Sequence, residues 1–205
     1  MAIIKSGATS DELTVDPTSK AARTSTYDSG GVYIGPKATY RAAVLATVVA
    51  AAGAAMFFVI SGSGTKTIRV QRIRFSGTTL TAVAYNTIVA EKWSTAPTAG
   101  TATVLTMVPL DSVSSAATAA LCQVYTAAPT EGTLVGTLTA VRIMMQATTA
   151  AAAGIPDVVD LDFRGMGGET TGVVLRGTGQ ALSLAFGAAP ATAVTLAVEV
   201  EWTEE

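Results

Sequence analysis

The sequence predicts an all-β body, a sandwich or barrel, carried behind an extended N-terminal arm. Three observations lead there. The stretch "AVTLAVEVEW" sets Val194, Leu196, Val198, Val200 and Trp202 on one side and Thr195, Ala197, Glu199, Glu201 and Thr203 on the other, the period of two that belongs to a half-buried strand. Short runs of this kind recur between turn signals such as "SGSGT", "FSGT", "APTAG", "PLDS", "APTEG" and "GAAP". Between those turns the sequence shows no long stretch with the 3.6-residue period of a helix.

The arm, residues 1 to 31, contains "IIKSGATSDELTVDPTSKAARTSTYDSGG", with few apolar side chains scattered among Ser, Thr, Asp and Lys. Leu13, Val15, Ala21 and Ala22 are too sparse to bury a core, and Pro17 interrupts the first short run. Such a segment needs a surface to lie on, its own body's or a neighbour's. Residues 32 to 205 are the body, rich in Ala, Val, Thr and Gly. The N-terminus has one Lys and no apolar core of signal-peptide length.

Early in the body lies "AAVLATVVAAAGAAMFFVI", residues 42 to 60, which is nineteen residues without a charge. That length suffices to cross a bilayer. The strongly apolar residues, however, sit at its two ends, and their summed insertion energy is only about −4 kcal/mol, before Thr47 and Gly53 count against it. Two buried strands around a small-residue connection fit better. In "KTIRVQRIRF", Ile68 and Val70 share one phase while Ile73 and Phe75 take the other, so a bulge is expected around Gln71 and Arg72. On a strand-like pattern Lys66, Arg69, Arg72 and Arg74 divide between two faces.

Further strands are expected at Leu80 to Lys92, Thr101 to Val108, Ala119 to Tyr125, Gly136 to Gln146, Val158 to Phe163, Gly172 to Leu175 and Ala181 to Phe186. "MMQATTAAAAGIPD" is the one place where a helical turn fits, since alanines favour it and "GIP" would end it. Two connections echo each other: "TAPTAGTATVLT" and "TAAPTEGTLVGT" repeat Thr-Ala, Pro-Thr and Gly-Thr before a strand. Shared turn chemistry accounts for that, Pro fixing φ and Gly supplying a positive φ.

Composition narrows the function. Only 14% of the 205 residues are charged, against roughly 25% in an ordinary soluble domain. A surface so poor in charge suits a protein packed against copies of itself or a scaffold. A net charge of −2 argues against nucleic-acid binding, which calls for a basic face. The single cysteine, Cys122, lies in an apolar run and reads as a buried, inert thiol.

The chain has no histidine, which removes Ser-His-Asp and Cys-His catalysis and most zinc sites. "SGTK", Ser63 to Lys66, has the spacing of a serine–lysine acylase motif but sits in a Gly-rich turn before a strand rather than on a helix. "RGMGGETTG" lacks the Lys-Ser/Thr of a phosphate loop. Asp160 and Asp162 share a strand face near Asp157, a spacing able to hold a hard cation, but more often a solvent-facing edge. Trp202 continues an inward stripe, whereas Trp93, at a strand end, is a candidate for exposure and for carbohydrate contact. No residue pattern selects a catalytic group, a metal site or a cofactor.

"IIKSGATSDELTVDPTSKAARTSTYD" resembles an N-terminal segment of virion structural proteins of tailed bacteriophages, where it precedes differing bodies. "RVQRIRFSGTTLTAVAYNTIVAEKWSTA", "PLDSVSSAATA", "YTAAPTEGTLVGTL" and "VEVEWTEE" look like the β-sandwich bodies found beside it. The resemblance implies an antiparallel β-sandwich of jelly-roll type and a non-catalytic role in the virion, as a capsid decoration or cement protein or a tail accessory. Assembly would take place in the bacterial host cytoplasm. The arm would be a docking peptide for another virion protein, a major capsid or tail protein, with Leu13, Val15, Pro17, Ala21, Ala22 and Tyr27 as its contacts. The body would be a homo-oligomer, a trimer being the expected form, with no nucleic-acid or membrane partner and no cofactor. The alternative is an appendage that binds a host receptor or glycan, with Trp93, Tyr85 or "RGMGGETTG" facing outward.

Overall fold

The computed structural model describes residues 14–15, 22–23, 37–48, 56–81, 83–127, 129–148, 157–164, 172–190 and 193–205. The chain divides into two units, Met1–Lys37 and Ala38–Glu205. In the first, β1 (Thr14–Val15) and β2 (Ala22–Arg23) pair antiparallel, Val15 opposite Ala22. Leu13, Pro17, Ala21 and Tyr27 lie outside the described residues, as does the expected arm boundary at residues 31 and 32.

The second unit is all-β, and no described residue is in an α-helix. Its strands are β3 (Ala38–Val48), β4 (Met56–Ser61), β5 (Ile68–Thr79), β6 (Ala84–Trp93), β7 (Thr101–Val104), β8 (Val108–Pro109), β9 (Cys122–Ala127), β10 (Leu134–Ala147), β11 (Val158–Asp162), β12 (Val173–Leu175), β13 (Ala181–Phe186) and β14 (Val194–Glu204). They form one hydrogen-bonded path, β7-β9-β4-β13-β6-β10-β5-β14-β3-β8, with β11 and β12 also on β5. The uncharged run 42–60 is divided between β3 and β4, as expected, and no helix among the described residues is long and apolar enough to cross a membrane. Its connection, residues 49–55, is outside the described residues. β10 runs as strand through Met144 and Met145 to Ala147, so the expected helical turn does not begin there; residues 149–156 are outside the described residues.

The sheet is mixed and curled. β10 pairs antiparallel with β6 from Leu134 to Met145, then parallel with β5 at Gln146 and Ala147. That turn of the path brings β3, β5 and β14 over β4, β6 and β13. One cluster therefore gathers Tyr40, Phe75, Val198, Val200 and Trp202 with Phe58, Ile60, Ile88, Leu182 and Leu184. The Tyr40 and Trp202 rings stack at 5.8 Å, and the Tyr40 hydroxyl donates to the Ser115 carbonyl at 2.9 Å. β14 is buried at every second residue from Val194 to Glu204, and its outward residues face away from this core.

The bulge expected in β5 is present. Opposite β14, Glu201 pairs with Arg72 but Trp202 pairs with Val70, leaving Gln71 as the extra residue. This shift returns Ile68 and Val70 to the same buried side as Ile73 and Phe75.

The two echoing connections clasp each other. Thr98 and Thr130, each following the proline of its copy, exchange both backbone hydrogen bonds at 2.9 and 2.7 Å. Gly100 (φ +77°) follows Ala99, which takes φ 56° without glycine's freedom. At Gly132 a Cβ would stand 1.9 Å from the Thr95 carbonyl oxygen, so the close crossing of the two turns requires glycine.

Candidate functional site

The bulge at Gln71 decides what the molecule presents on its outer surface. Because one residue is absorbed there, Arg69, Arg72 and Arg74 project from the same face of β5, correcting the division between two faces read from parity alone. The neighbouring strands supply their partners. Going across β3, β14, β5 and β11, Arg41 is in register with Glu201, Glu201 with Arg72, and Arg72 with Asp162. Two residues along, Ala43 meets Glu199, Glu199 meets Arg74, and Arg74 meets Asp160.

The result is a belt of ion pairs. Arg41 lies 2.7 Å from Glu201 and 3.5 Å from Glu199. Arg72 binds both oxygens of Asp160, its Nε donating at 2.6 Å to Oδ1 and its Nη2 donating to Oδ2. Arg74 approaches the same carboxylate at 3.6 Å. Arg164 donates to Asp162 through Nε at 3.0 Å, Nη2 at 2.8 Å and its backbone N–H at 2.8 Å. Arg69 pairs with Glu205 at 2.6 Å. Arg41, Arg69, Arg72, Arg74 and Arg164 are five of the chain's thirteen basic residues, so much of a scarce charge is spent on one face.

Hydrogen bonding sets the protonation of these groups. The Arg72 guanidinium holds the Asp160 carboxyl below its ordinary value, and Arg164 holds Asp162 down at about 2. The carboxylates considered for a hard cation are therefore neutralised by guanidinium groups, and no metal-holding cluster of His, Cys, Asp and Glu occurs among the described residues.

Beyond the belt the same face turns apolar. Leu45, Ala197, Ser76 and Val158 are in register across the four strands. Leu45 is 73% exposed and Val158 62%, and they flank a shallow groove of about 480 Å³ whose floor includes Ala197 and Ser76.

Trp93 is not exposed: it is 3% accessible, its Nε1–H donates to the Ser183 hydroxyl at 2.8 Å, and it packs with Met56, Val59, Tyr125, Ala181 and Ala185. Its burial comes from β13, which sets Ala181 opposite it, a pairing invisible at a strand end read locally. Trp202 is in the core, as expected. Cys122 is buried, and desolvation pushes its thiol up to about 12, which suits an inert side chain. The Ser63 hydroxyl accepts the N–H groups of Thr65 and Lys66 at 3.1 and 3.3 Å, closing the turn, while Lys66 faces Glu204 at 3.6 Å. Tyr85 is exposed and has the Arg142 guanidinium 5.2 Å from its ring centre. Within "RGMGGETTG", residues 165–171 are outside the described residues.

Glu204 was not singled out from the sequence. Its buried carboxylate accepts the Thr118 N–H and hydroxyl at 2.8 Å each and the Trp202 Nε1–H at 3.1 Å, and it faces Lys66. The signal was available: Glu204 continues the inward parity of Val194 to Trp202. These donors compensate its desolvation, making it a structural clasp between β14 and the segment before β9.

No family model, curated protein or solved structure matches this chain.

Proposed function

We propose that this protein is a non-catalytic structural component of a tailed-phage virion, docking through its N-terminal arm and built on a jelly-roll body. The strand pairing supports that fold. Taking β3, β4, β5, β6, β10, β11, β13 and β14 as eight strands, the first pairs with the eighth, the second with the seventh, the third with the sixth and the fourth with the fifth. All four pairings are antiparallel, as when one long hairpin is rolled into two facing sheets. The cross-links β14–β5 and β13–β6 are those such a roll requires, with β7, β8, β9 and β12 as additions.

The observation that carries the function is the division of the chain. A short unit, Met1–Lys37, precedes a body whose surface exposes large apolar side chains at Leu45, Val104, Leu110, Val113, Val135 and Val158. A body poor in charge, with apolar groups left on its surface, suits life in an assembly. The wording of the arm directs that reading to a phage particle, and Leu13, Val15, Pro17, Ala21, Ala22 and Tyr27 are its proposed contacts. Ordering such an arm costs roughly 1–2 kcal/mol per residue, which strand addition to a capsid or tail protein and many copies would offset. The body's oligomer, with a trimer expected, would supply those copies.

Deleting residues 2–31 tests this. The truncated protein is expected to keep a β-type circular-dichroism spectrum and to be missing from purified particles; normal incorporation would overturn the docking role.

A second reading, a glycan-binding appendage, is favoured by one observation. The exposed Tyr85 ring borders a groove of about 420 Å³ lined also by Asn86, Thr87 and Gly187, a polar-edged aromatic platform. Specific binding of the isolated body on a glycan array would support it over the cementing role.

A further inference from the structure

We propose that the outer face of β3, β14, β5 and β11 is a two-fold contact between two copies of this chain, laid face to face with the axis along the strands between β14 and β5. Three rows define it. In the order β3, β14, β5, β11 they read Arg41, Glu201, Arg72, Asp162; then Ala43, Glu199, Arg74, Asp160; then Leu45, Ala197, Ser76, Val158.

A two-fold axis along the strands keeps each row opposite itself and reverses its order. The four in-register residues of the first row alternate in sign over an even number of strands, so the reversed copy presents each of them with its opposite, while Arg164, on Asp162 and 4.0 Å from Glu201, adds one cation beside the row. Arg41 faces Asp162 of the second copy, Glu201 faces Arg72, and Glu199 faces Arg74. In the third row Leu45 meets Val158 at both ends, and the low floor of Ala197 and Ser76 between them holds water. The other in-plane two-fold, across the strands, would lay the Arg41 row on the Leu45 row and set charges against apolar groups. The pattern thus selects a second copy in one orientation.

The charges are already paired within each copy, so facing rows exchange partners rather than neutralise free charge, and they contribute register more than affinity. Four strands about 4.8 Å apart, over five residues of about 3.4 Å, give a patch on the order of 300 Å² per copy. That is well below the roughly 800 Å² per partner of a standard interface. The contact is therefore weak in dilute solution and gains strength where copies are held together. It stands apart from the virion reading: its failure would leave arm docking untouched, and a two-fold contact does not by itself close a trimer.

The test is sedimentation velocity on the full chain up to high concentration, with Leu45→Glu, Val158→Lys and the double variant. Both positions are exposed, and circular dichroism checks that each variant folds. The native chain is expected to show a monomer–dimer equilibrium that each single substitution weakens by about tenfold or more. The double variant is expected to recover association, because the new carboxylate at position 45 meets the new ammonium at 158 of the other copy. Strands β14 and β5 separate the two positions within one copy, so recovery reports contact between copies. A native chain that stays monomeric, an oligomer that both single variants leave unchanged, or a double variant no better than the singles would overturn the proposal.

Discussion

Two regions of the body solve opposite problems. β4 ("MFFVIS") and β13 ("ALSLAF") are buried at every residue, whereas β14 alternates buried and part-exposed along its whole length. A strand covered on both sides needs a continuous apolar run, and one with a wet face needs a period of two. The central core takes Phe58, Ile60, Leu182 and Leu184, and a second cluster built on Val59, Trp93, Tyr125 and Ala181 covers the opposite side. Ser183 is tolerated inside because the Trp93 indole donates to its hydroxyl. Against this, the outward side of β14 joins β3, β5 and β11 in presenting guanidinium–carboxylate pairs. The difference teaches that cohesion and surface charge are assigned to different sheet faces: burial holds the fold, and the belt pairs its charges on the outer face.

The largest effect that sharpens this comparison is expected in the doubly covered pair. Phe58→Ala removes a fully buried ring and should cost about 3–5 kcal/mol in urea unfolding. A loss near zero would mean that β4 is not part of the cohesive core.

Acid probes the other face more gently. Asp160 and Asp162 have folded-state values depressed below 3.8, Asp162 to about 2. Their contribution is therefore present above the unfolded value and lost as pH falls through the folded ones. Urea midpoints measured from pH 5 downward are expected to hold until about pH 4 and to fall between about pH 4 and 2. A midpoint that rises as Asp162 protonates would contradict the pairing with Arg164.

Legibility followed the range of the forces. The period of β14, the division of residues 42–60 into two strands and the slip at Gln71 are local, and each was readable from neighbouring residues. The consequence of the slip is not local: simple alternation divides Arg69, Arg72 and Arg74, and only the pairing with β14 places them on one face. Trp93 differs for the opposite reason: its place at a strand end suggests exposure, and only the pairing with β13 buries it. Turn chemistry accounts for the "PT" echo in the sequence, while the hydrogen bonds between Thr98 and Thr130 depend on β7 and β9 lying side by side. The ion-pair belt needed register across β3, β14, β5 and β11, elements far apart in the chain.

The assignment of cohesion to burial rather than to the surface ion pairs is tested most directly by neutralising the belt. The variant carrying Arg72→Gln, Arg74→Gln, Asp160→Asn and Asp162→Asn together should be unfolded in urea beside Phe58→Ala, at a dilution where the chain is monomeric. Its midpoint is expected to shift by only a small fraction of the Phe58→Ala shift. A shift as large as that of Phe58→Ala would place the cohesion of the body in the belt and contradict the account.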